Sequence, residues 1–395
     1  MSSLSPTPLT SSISAALAAP DGLAEPGGPR TRLRLGTRRS ALALAQSGMV
    51  ADELRARLGV EVELVHIVTE GDRNRAAISQ LGGTGVFVSA LRDALLAGEI
   101  DLAVHSLKDL PTAAPAGIAL AAIPAREDVR DVLISPSGRR LAELGAGARI
   151  GTGSPRRAAQ LHALGLGLEV VAIRGNVDTR IKKAIDGAVD AVVLAKAGLS
   201  RLDRLDAVTE ILEPEVMLPA PGQGALALEC LAAATVPAGV TTGCPVAPDG
   251  DVTGMAGSAT DGSGVGAPLA GLLRFVLDDA PSSVAVRAER AFLAAIEAGC
   301  TAPVGALARI VPAIGDAGTT QGRNRADAWS GRPVGGNDAA FLASGVRLRA
   351  VVASPDGGAV LRRELTGSTA DPEALGRRLA DDLLAAGAHT LMGTR

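Results

Sequence analysis

IDLAVHSLKDLP, residues 100–111, begins as an aliphatic run and ends on a charged turn. Ile100 to Leu107 is β-branched and apolar enough for a buried parallel strand, and Pro111 removes the backbone donor that would continue it. Lys108 and Asp109 then stand at the carboxyl end of a strand, where α/β proteins place their ligands. Alone, this pair would be a solvated turn carboxylate beside a lysine. The flanking sequence gives it a different setting.

Working outward, a short strand from Leu33 to Thr37 is followed by a helix from Ser40 to Leu58, with Leu44, Ala51, Leu54 and Leu58 on one face and Ser40 as its cap. A strand at 60–68, a Gly-rich polar loop at 71–85 and a helix at 86–97 lead into the strand containing His105. The alternation restarts at Arg149, with strands at 149–152, 168–173 and 188–194 and helices from Pro155 and after Asn176. Strands alternating with helices of this length predict parallel sheets with crossovers, hence an α/β fold. LPAPGQGALALEC, 218–230, reads as a turn and a strand returning to the first sheet.

A chain of 395 residues exceeds what one core usually holds. The expected division is a disordered leader at 1–30, a first domain at 31–124 with return segment 223–230, a second domain at 125–222, a mostly flexible insertion at 231–282, and a third domain at 283–395. Between Leu231 and Leu273 there is no Lys or Arg, which suits a flexible insertion. The third domain opens with an amphipathic helix near Ser283. It continues through a second insertion at about 314–341, a hairpin at 346–365 turning at Pro355 to Gly358, and a helix from Pro372 to Ala386.

Aromatic residues make up 1% of the chain, with no tyrosine, so base stacking on nucleic acid is not expected. A net charge of −3 gives no global attraction to polyanions, so an anion site must be a local cluster. Cys230, Cys244 and Cys300 cannot all pair and show no zinc spacing, nor do the four histidines, so no metal site is assigned. No run is long enough to span a membrane, and residues 1–29 lack the basic start of a secretory signal. A cytoplasmic monomer without nucleic-acid or membrane partners is expected.

The cationic cluster is legible. In GTGSPRRAAQL, 151–161, Ser154 is an N-cap and Pro155 a suitable first helical residue, so the helix start favours an anion. Arg156 and Arg157 oppose the helix dipole there, and a local rule broken in this way marks function more often than packing. The bland reading pairs both with surface acids. RGNVDTR, 174–180, adds Arg174 and Arg180 around the cap Asn176, and Arg201 follows the next strand. Arg38 and Ser40 occupy the same position in the first unit. Guanidinium groups recurring at strand ends or helix starts of both units suit a ligand with several carboxylates or phosphates. GGTG, 82–85, lacks the Walker ending and reads as a hinge or lid, with Arg73 and Arg75 nearby. Cys300, in AGCTAPVG, is placed in a loop kept open by Pro303 and Gly305. Cys230 is a buried small hydrophobe.

Seven blocks, GTRRSALALAQ, GGTGVFVSAL, HSLKDLP, IGTGSPRRAAQL, RGNVDTR, PAPGQGALALE and AERAFLAAIEAGCTAPVG, occur in this order. Together they resemble the hydroxymethylbilane synthase, or porphobilinogen deaminase, family over residues 31–230, 283–313 and 344–388. The resemblance implies two type II periplasmic-binding-protein-like domains, a smaller α+β C-terminal domain, and an active site between the first two. It implies a transferase of porphyrin biosynthesis that condenses four porphobilinogen molecules head to tail, with loss of ammonia, into hydroxymethylbilane. A dipyrromethane cofactor would be held by a thioether to Cys300, and Asp109 would match the catalytic aspartate. By matching position, Arg38, Ser40, Lys108, Thr152, Ser154, Arg156, Arg157, Arg174, Arg180 and Arg201 would bind cofactor or substrate carboxylates. Loss of ammonia leaves an electron-poor azafulvene, and a carboxylate can stabilise its charge and relay protons. Thr84 and Pro155 depart from many bacterial members, which have lysine and leucine there. The competing class is a non-catalytic carboxylate-binding two-lobed protein.

Overall fold

A computed structural model of the protein describes residues 32–67, 85–113, 115–236, 268–297, 302–312 and 344–392. The leader, the 314–341 insertion, Arg73, Arg75, Thr84, Cys244 and Cys300 lie outside the described residues.

The first lobe runs β1 (Arg32–Thr37), α1 (Ala41–Leu58), β2 (Glu61–His66), α2 (Gly85–Leu96), β3 (Leu102–Ser106) and β4 (Ile118–Ala122). The chain then crosses to the second lobe, with β5 (Asp131–Ile134), β6 (Arg149–Thr152), α3 (Pro155–Ala163), β7 (Glu169–Ala172), α4 (Val177–Ile185), β8 (Ala191–Ala195), α5 (Lys196–Ser200) and β9 (Glu210–Leu212). It returns as β10 (Leu226–Leu231) and α6 (Leu269–Leu277). The third domain holds α7 (Ala280–Ala295), β11 (Val304–Val311), β12 (Gly345–Ala353), β13 (Val360–Ser368) and α8 (Pro372–Ala385).

Among the described residues the two lobes have the same sheet plan, β2-β1-β3-β10-β4 and β7-β6-β8-β5-β9. The expected parallel sheets are in fact mixed. β1 is parallel to β2 and β3, and β6 to β7 and β8, but β10 and β5 each run antiparallel between two neighbours. Each exception is the strand that enters its lobe directly from a crossing segment, so it starts at the opposite end of the sheet from the parallel strands and needs no helical crossover. The third domain is an antiparallel sheet, β11-β12-β13, covered by α7 and α8. Gly376 of α8 is needed for that cover, because a Cβ there would lie 2.4 Å from the Ala288 carbonyl of α7.

The cores follow from the near absence of aromatics. Leu33, Leu35, Leu54 and Leu102 fill the first lobe, Leu133, Ile150 and Leu161 the second, and Phe292, Leu348 and Leu379 the third, all at most 1% exposed.

Two expectations need correction. The segment expected to be mostly flexible over 231–282 includes α6 and the start of α7, because Leu269, Leu272, Leu273, Val276 and Leu277 recur at helical spacing and bury against the first sheet. Gly305 does not hold a loop open; it lies in β11, where the lack of a side chain admits the Leu218 carbonyl, 2.9 Å from where a Cβ would sit.

Candidate active site at the junction of the lobes

β3 stops at Ser106, earlier than the aliphatic run suggests, because Leu107 to Asp109 forms one 3-10 turn closed by the Leu110 N–H on the Leu107 carbonyl at 3.0 Å. Leu107 and Leu110 are buried anchors on either side, and Lys108 and Asp109 between them are half-buried. The Leu107 N–H donates to the Ala225 carbonyl at 3.0 Å, so the return segment fixes the turn. Ser106 is held by Gln46 of α1, whose Nε2 donates to its Oγ at 2.9 Å. The third domain holds the other side, where Arg290 of α7 donates to the carbonyls of Leu110, Pro111 and Thr112 at 3.2, 2.7 and 3.4 Å. The loop carrying Asp109 is therefore gripped by groups far apart in sequence.

Across the junction, Ser154 caps α3 by accepting from the Arg157 N–H, with Pro155 in the first turn. Thr152, buried at the end of β6, accepts from the Ser154 N–H at 3.2 Å. Asn176 caps α4 as expected, accepting from Thr179 N–H at 2.8 Å, and Ser40 caps α1, accepting from Ala43 N–H at 3.3 Å. Arg156 and Arg157 are each 4% exposed, and both reach a carboxylate that sequence reading missed, the fully buried Asp131. Their partner is thus an interior acid, not the surface acids of the bland reading. Burial alone would raise the Asp131 pKa, yet the two guanidiniums hold it well below the usual carboxylate range. Burial lowers the Arg156 pKa; Asp131 opposes this and Arg157 adds to it.

The two lobes share one electrostatic field. Burial pushes the Lys108 ammonium down to about 8, opposed by Asp109 and Asp131 and reinforced by Arg157 and Arg156. The Arg180 pKa is lowered by burial and by Arg157 and Arg174, while Asp109 across the junction raises it. Lys108, Asp109, Arg156, Arg157, Arg174 and Arg180 are thereby brought together. Arg201 stands apart, at the crossing segments, with its Nη2 on the Gly224 carbonyl at 2.6 Å and its buried Nε without a partner among the described residues. Arg38 is half-buried at the carboxyl end of β1. Elsewhere, Cys230 is fully buried and its thiol is pushed up to about 11 by burial and by Glu229, which fits a small hydrophobe.

The donor set suits a polycarboxylate in charge and in kind, since guanidinium groups pair with carboxylates by charge-assisted hydrogen bonds; among the described residues the buried Nε atoms of Arg156, Arg157 and Arg201 have no protein partner. Fold and site together define a two-lobed α/β protein with a cationic junction beside an acidic turn.

Comparison with known proteins narrows this. The family model described as porphobilinogen deaminase, dipyromethane cofactor binding domain, matches residues 33–236, and the C-terminal domain model of that family matches 283–314. Porphobilinogen deaminase 1 of Streptomyces avermitilis is 48% identical over 376 residues, covering 92% of this chain and 98% of the relative. The porphobilinogen deaminase of Thermobifida fusca is 46% identical over 369 residues, covering 92% and 96%. This chain belongs to the porphobilinogen deaminase family. Among solved structures, the aliphatic sulphonate binding protein SsuA of Escherichia coli is similar at 15% identity and a TM-score of 0.31, covering 51% of this chain and 62% of that one.

Proposed function

We propose that this junction carries out the reaction of the family: stepwise deaminating condensation of four porphobilinogen molecules to hydroxymethylbilane, in porphyrin biosynthesis. The observation that carries the assignment of residues is the placement of Lys108 and Asp109 in the turn after β3 of one lobe, within the electrostatic reach of Arg157 and Arg180 in the first turns of α3 and α4 of the other. Family membership supports the transferase over the non-catalytic carboxylate binder.

Each pyrrole unit carries an acetate and a propionate, so a chain lengthening on the enzyme gathers negative charge in one place. Lys108, Arg156, Arg157, Arg174 and Arg180 meet those carboxylates, with Arg38, Ser40, Thr152, Ser154 and Arg201 completing the set. Asp109 accepts hydrogen bonds from pyrrole N–H groups, stabilises the positive charge that develops as ammonia leaves, and passes protons between the reacting positions. The Arg290 grip on the following carbonyls keeps that carboxylate still while the chain changes length. Dipyrromethane, attached through a thioether to Cys300, supplies a free pyrrole α-carbon as the starting acceptor. A thiolate suits this attachment as a soft nucleophile. A cytoplasmic monomer is the proposed working form; among the described residues no helix is long and apolar enough to cross a membrane.

The test is incubation with porphobilinogen and detection of a linear tetrapyrrole. Asp109→Asn is expected to keep the fold and lose roughly a hundredfold or more in turnover; near-normal turnover removes Asp109 from the mechanism. The purified protein should be heavier than its sequence by one dipyrromethane. If Cys300→Ser keeps that mass, the attachment is elsewhere.

A further inference from the structure

Asp131, the first residue of β5, is 0% exposed and receives three side-chain donors. Arg156 Nη2 reaches Oδ2 at 2.8 Å, and Arg157 Nη2 and Gln223 Nε2 reach Oδ1 at 2.8 Å each. The Nη1 atoms are also occupied, Arg156 by the Leu218 carbonyl at 2.6 Å and Arg157 by the Val193 carbonyl at 2.9 Å. A guanidinium held at both terminal nitrogens cannot swing. What remains on each is Nε–H, buried and without a partner among the described residues.

Two guanidiniums against one carboxylate leave a net charge of +1 inside the protein. For stability alone this is a poor arrangement, since apolar packing commonly does as well as a buried ion cluster and leaves no donor unmet. The cluster is also tied to the joint between the lobes. Asp131 directly follows the first crossing segment, and Gln223, in the second, donates to the Val129 carbonyl of the first at 2.8 Å. The position of both arginines is thus referenced to the two segments that join the lobes.

We propose that Asp131 is a positioning residue: it fixes the Arg156 and Arg157 guanidiniums so that their single surplus positive charge stays set behind the place where a substrate carboxylate binds. It touches neither substrate nor reacting atoms and acts through the arginine pair.

The inference rests on the reading of Arg156 and Arg157 as carboxylate binders, so the experiment separates the two. KM and kcat for porphobilinogen and the thermal midpoint are measured on the holoenzyme for Arg156→Lys, Arg157→Lys, Asp131→Glu and Asp131→Asn. If both arginine variants keep the wild-type KM, the carboxylate-binding reading itself is wrong. If they raise it, Asp131 is judged by Asp131→Glu, which keeps the charge and shifts it by one methylene. Its KM is expected to rise roughly ten- to a hundred-fold, the equivalent of one charge-assisted hydrogen bond, with kcat moved much less. Asp131→Asn should raise KM similarly. A KM for Asp131→Glu within about twofold of wild type overturns the proposal, as does a tighter KM in Asp131→Asn, which would make Asp131 a competitor of the substrate. Where the Asp131 variants do not fold, Gln223→Met decides, read beside its thermal midpoint: it spares both ion pairs and removes one donor from the carboxylate together with the Val129 contact. A few-fold rise in KM then supports the proposal, and an unchanged KM overturns it.

Discussion

Replacing Glu289 with glutamine probes how the third domain is attached. The Glu289 carboxylate is 0% exposed and receives four donors, two on each oxygen. Arg126 Nη1 and the Ala308 N–H reach Oε1 at 2.7 and 2.8 Å, and Arg126 Nη2 and the Gly222 N–H reach Oε2 at 2.9 and 2.6 Å. One side chain of α7 thus joins both crossing segments to β11. Glutamine keeps the shape but turns one oxygen into an NH2 group, which then faces two donors and leaves the Arg126 cation uncompensated. Breaking one partner of a buried ion pair costs about 3–5 kcal/mol. At roughly 2–4 °C per kcal/mol for cooperative units of about 150–250 residues, the calorimetric midpoint should fall by about 10 °C. Because several domains meet at this point, the endotherm should also broaden or split. In a double-mutant cycle with Arg126→Met, the double variant should lose less than the sum of the single losses. A midpoint within about 2 °C of wild type, with one sharp transition, refutes the reasoning.

Lys108 predicts a pH dependence on the alkaline side. Its ammonium titrates at about 8, so KM for porphobilinogen should rise as pH passes that value, whereas Lys108→Arg should stay flat; a wild-type KM constant from about pH 7 to 9 speaks against the assignment. Because the folded pKa lies below 10.5, the unfolded chain binds more protons between about 8 and 10.5, and this group makes stability rise with pH there. Glu229 governs the acid side. Burial opposes its ionisation, but His105 Nε2 lies 3.3 Å away and Arg92 pairs with it at 2.7 Å, and together they hold its pKa at about 2. Its contribution is present above about 4.5 and lost as pH falls through about 2, so Glu229→Gln should flatten the urea midpoint over that window. An unchanged acid limb would show that the pairing contributes nothing.

What could be read from sequence was local. Ser40, Ser154 and Asn176 announce helix starts because a cap and its N–H partner lie three residues apart, and the hairpin turn at Ser354 to Ala359 closes on its own residues. HSLKDLP placed Asp109 at a strand end because the aliphatic run and the turn are contiguous. Asp131 escaped because its partners are 25, 26 and 92 residues away, and a leading Asp on a short apolar strand looks like any strand start. The signal available was Arg156-Arg157 itself: two cations in the first turn of a helix demand a carboxylate from elsewhere. Arg290 escaped for a related reason, since its acceptors are main-chain carbonyls nearly 180 residues away, and carbonyls leave no mark in a sequence. The antiparallel course of β10 and β5 depends on the route between lobes, which periodicity does not encode. Helix α6 was masked by the Gly- and Ala-rich stretch before it.

The place of β10 in the first sheet has a consequence for biosynthesis. β4 pairs with β10, and β3 meets β10 on its open side, so these two strands wait for a partner that emerges from the ribosome on the order of a hundred residues later. At roughly 5–20 residues per second, the wait is about 5–20 s. The second lobe, whose strands are all contiguous in the chain, can be finished in that interval while the amino-terminal lobe still shows raw sheet edges. The lobe that begins first along the chain is thus the second to close its sheet, and it is the one bearing the acidic turn.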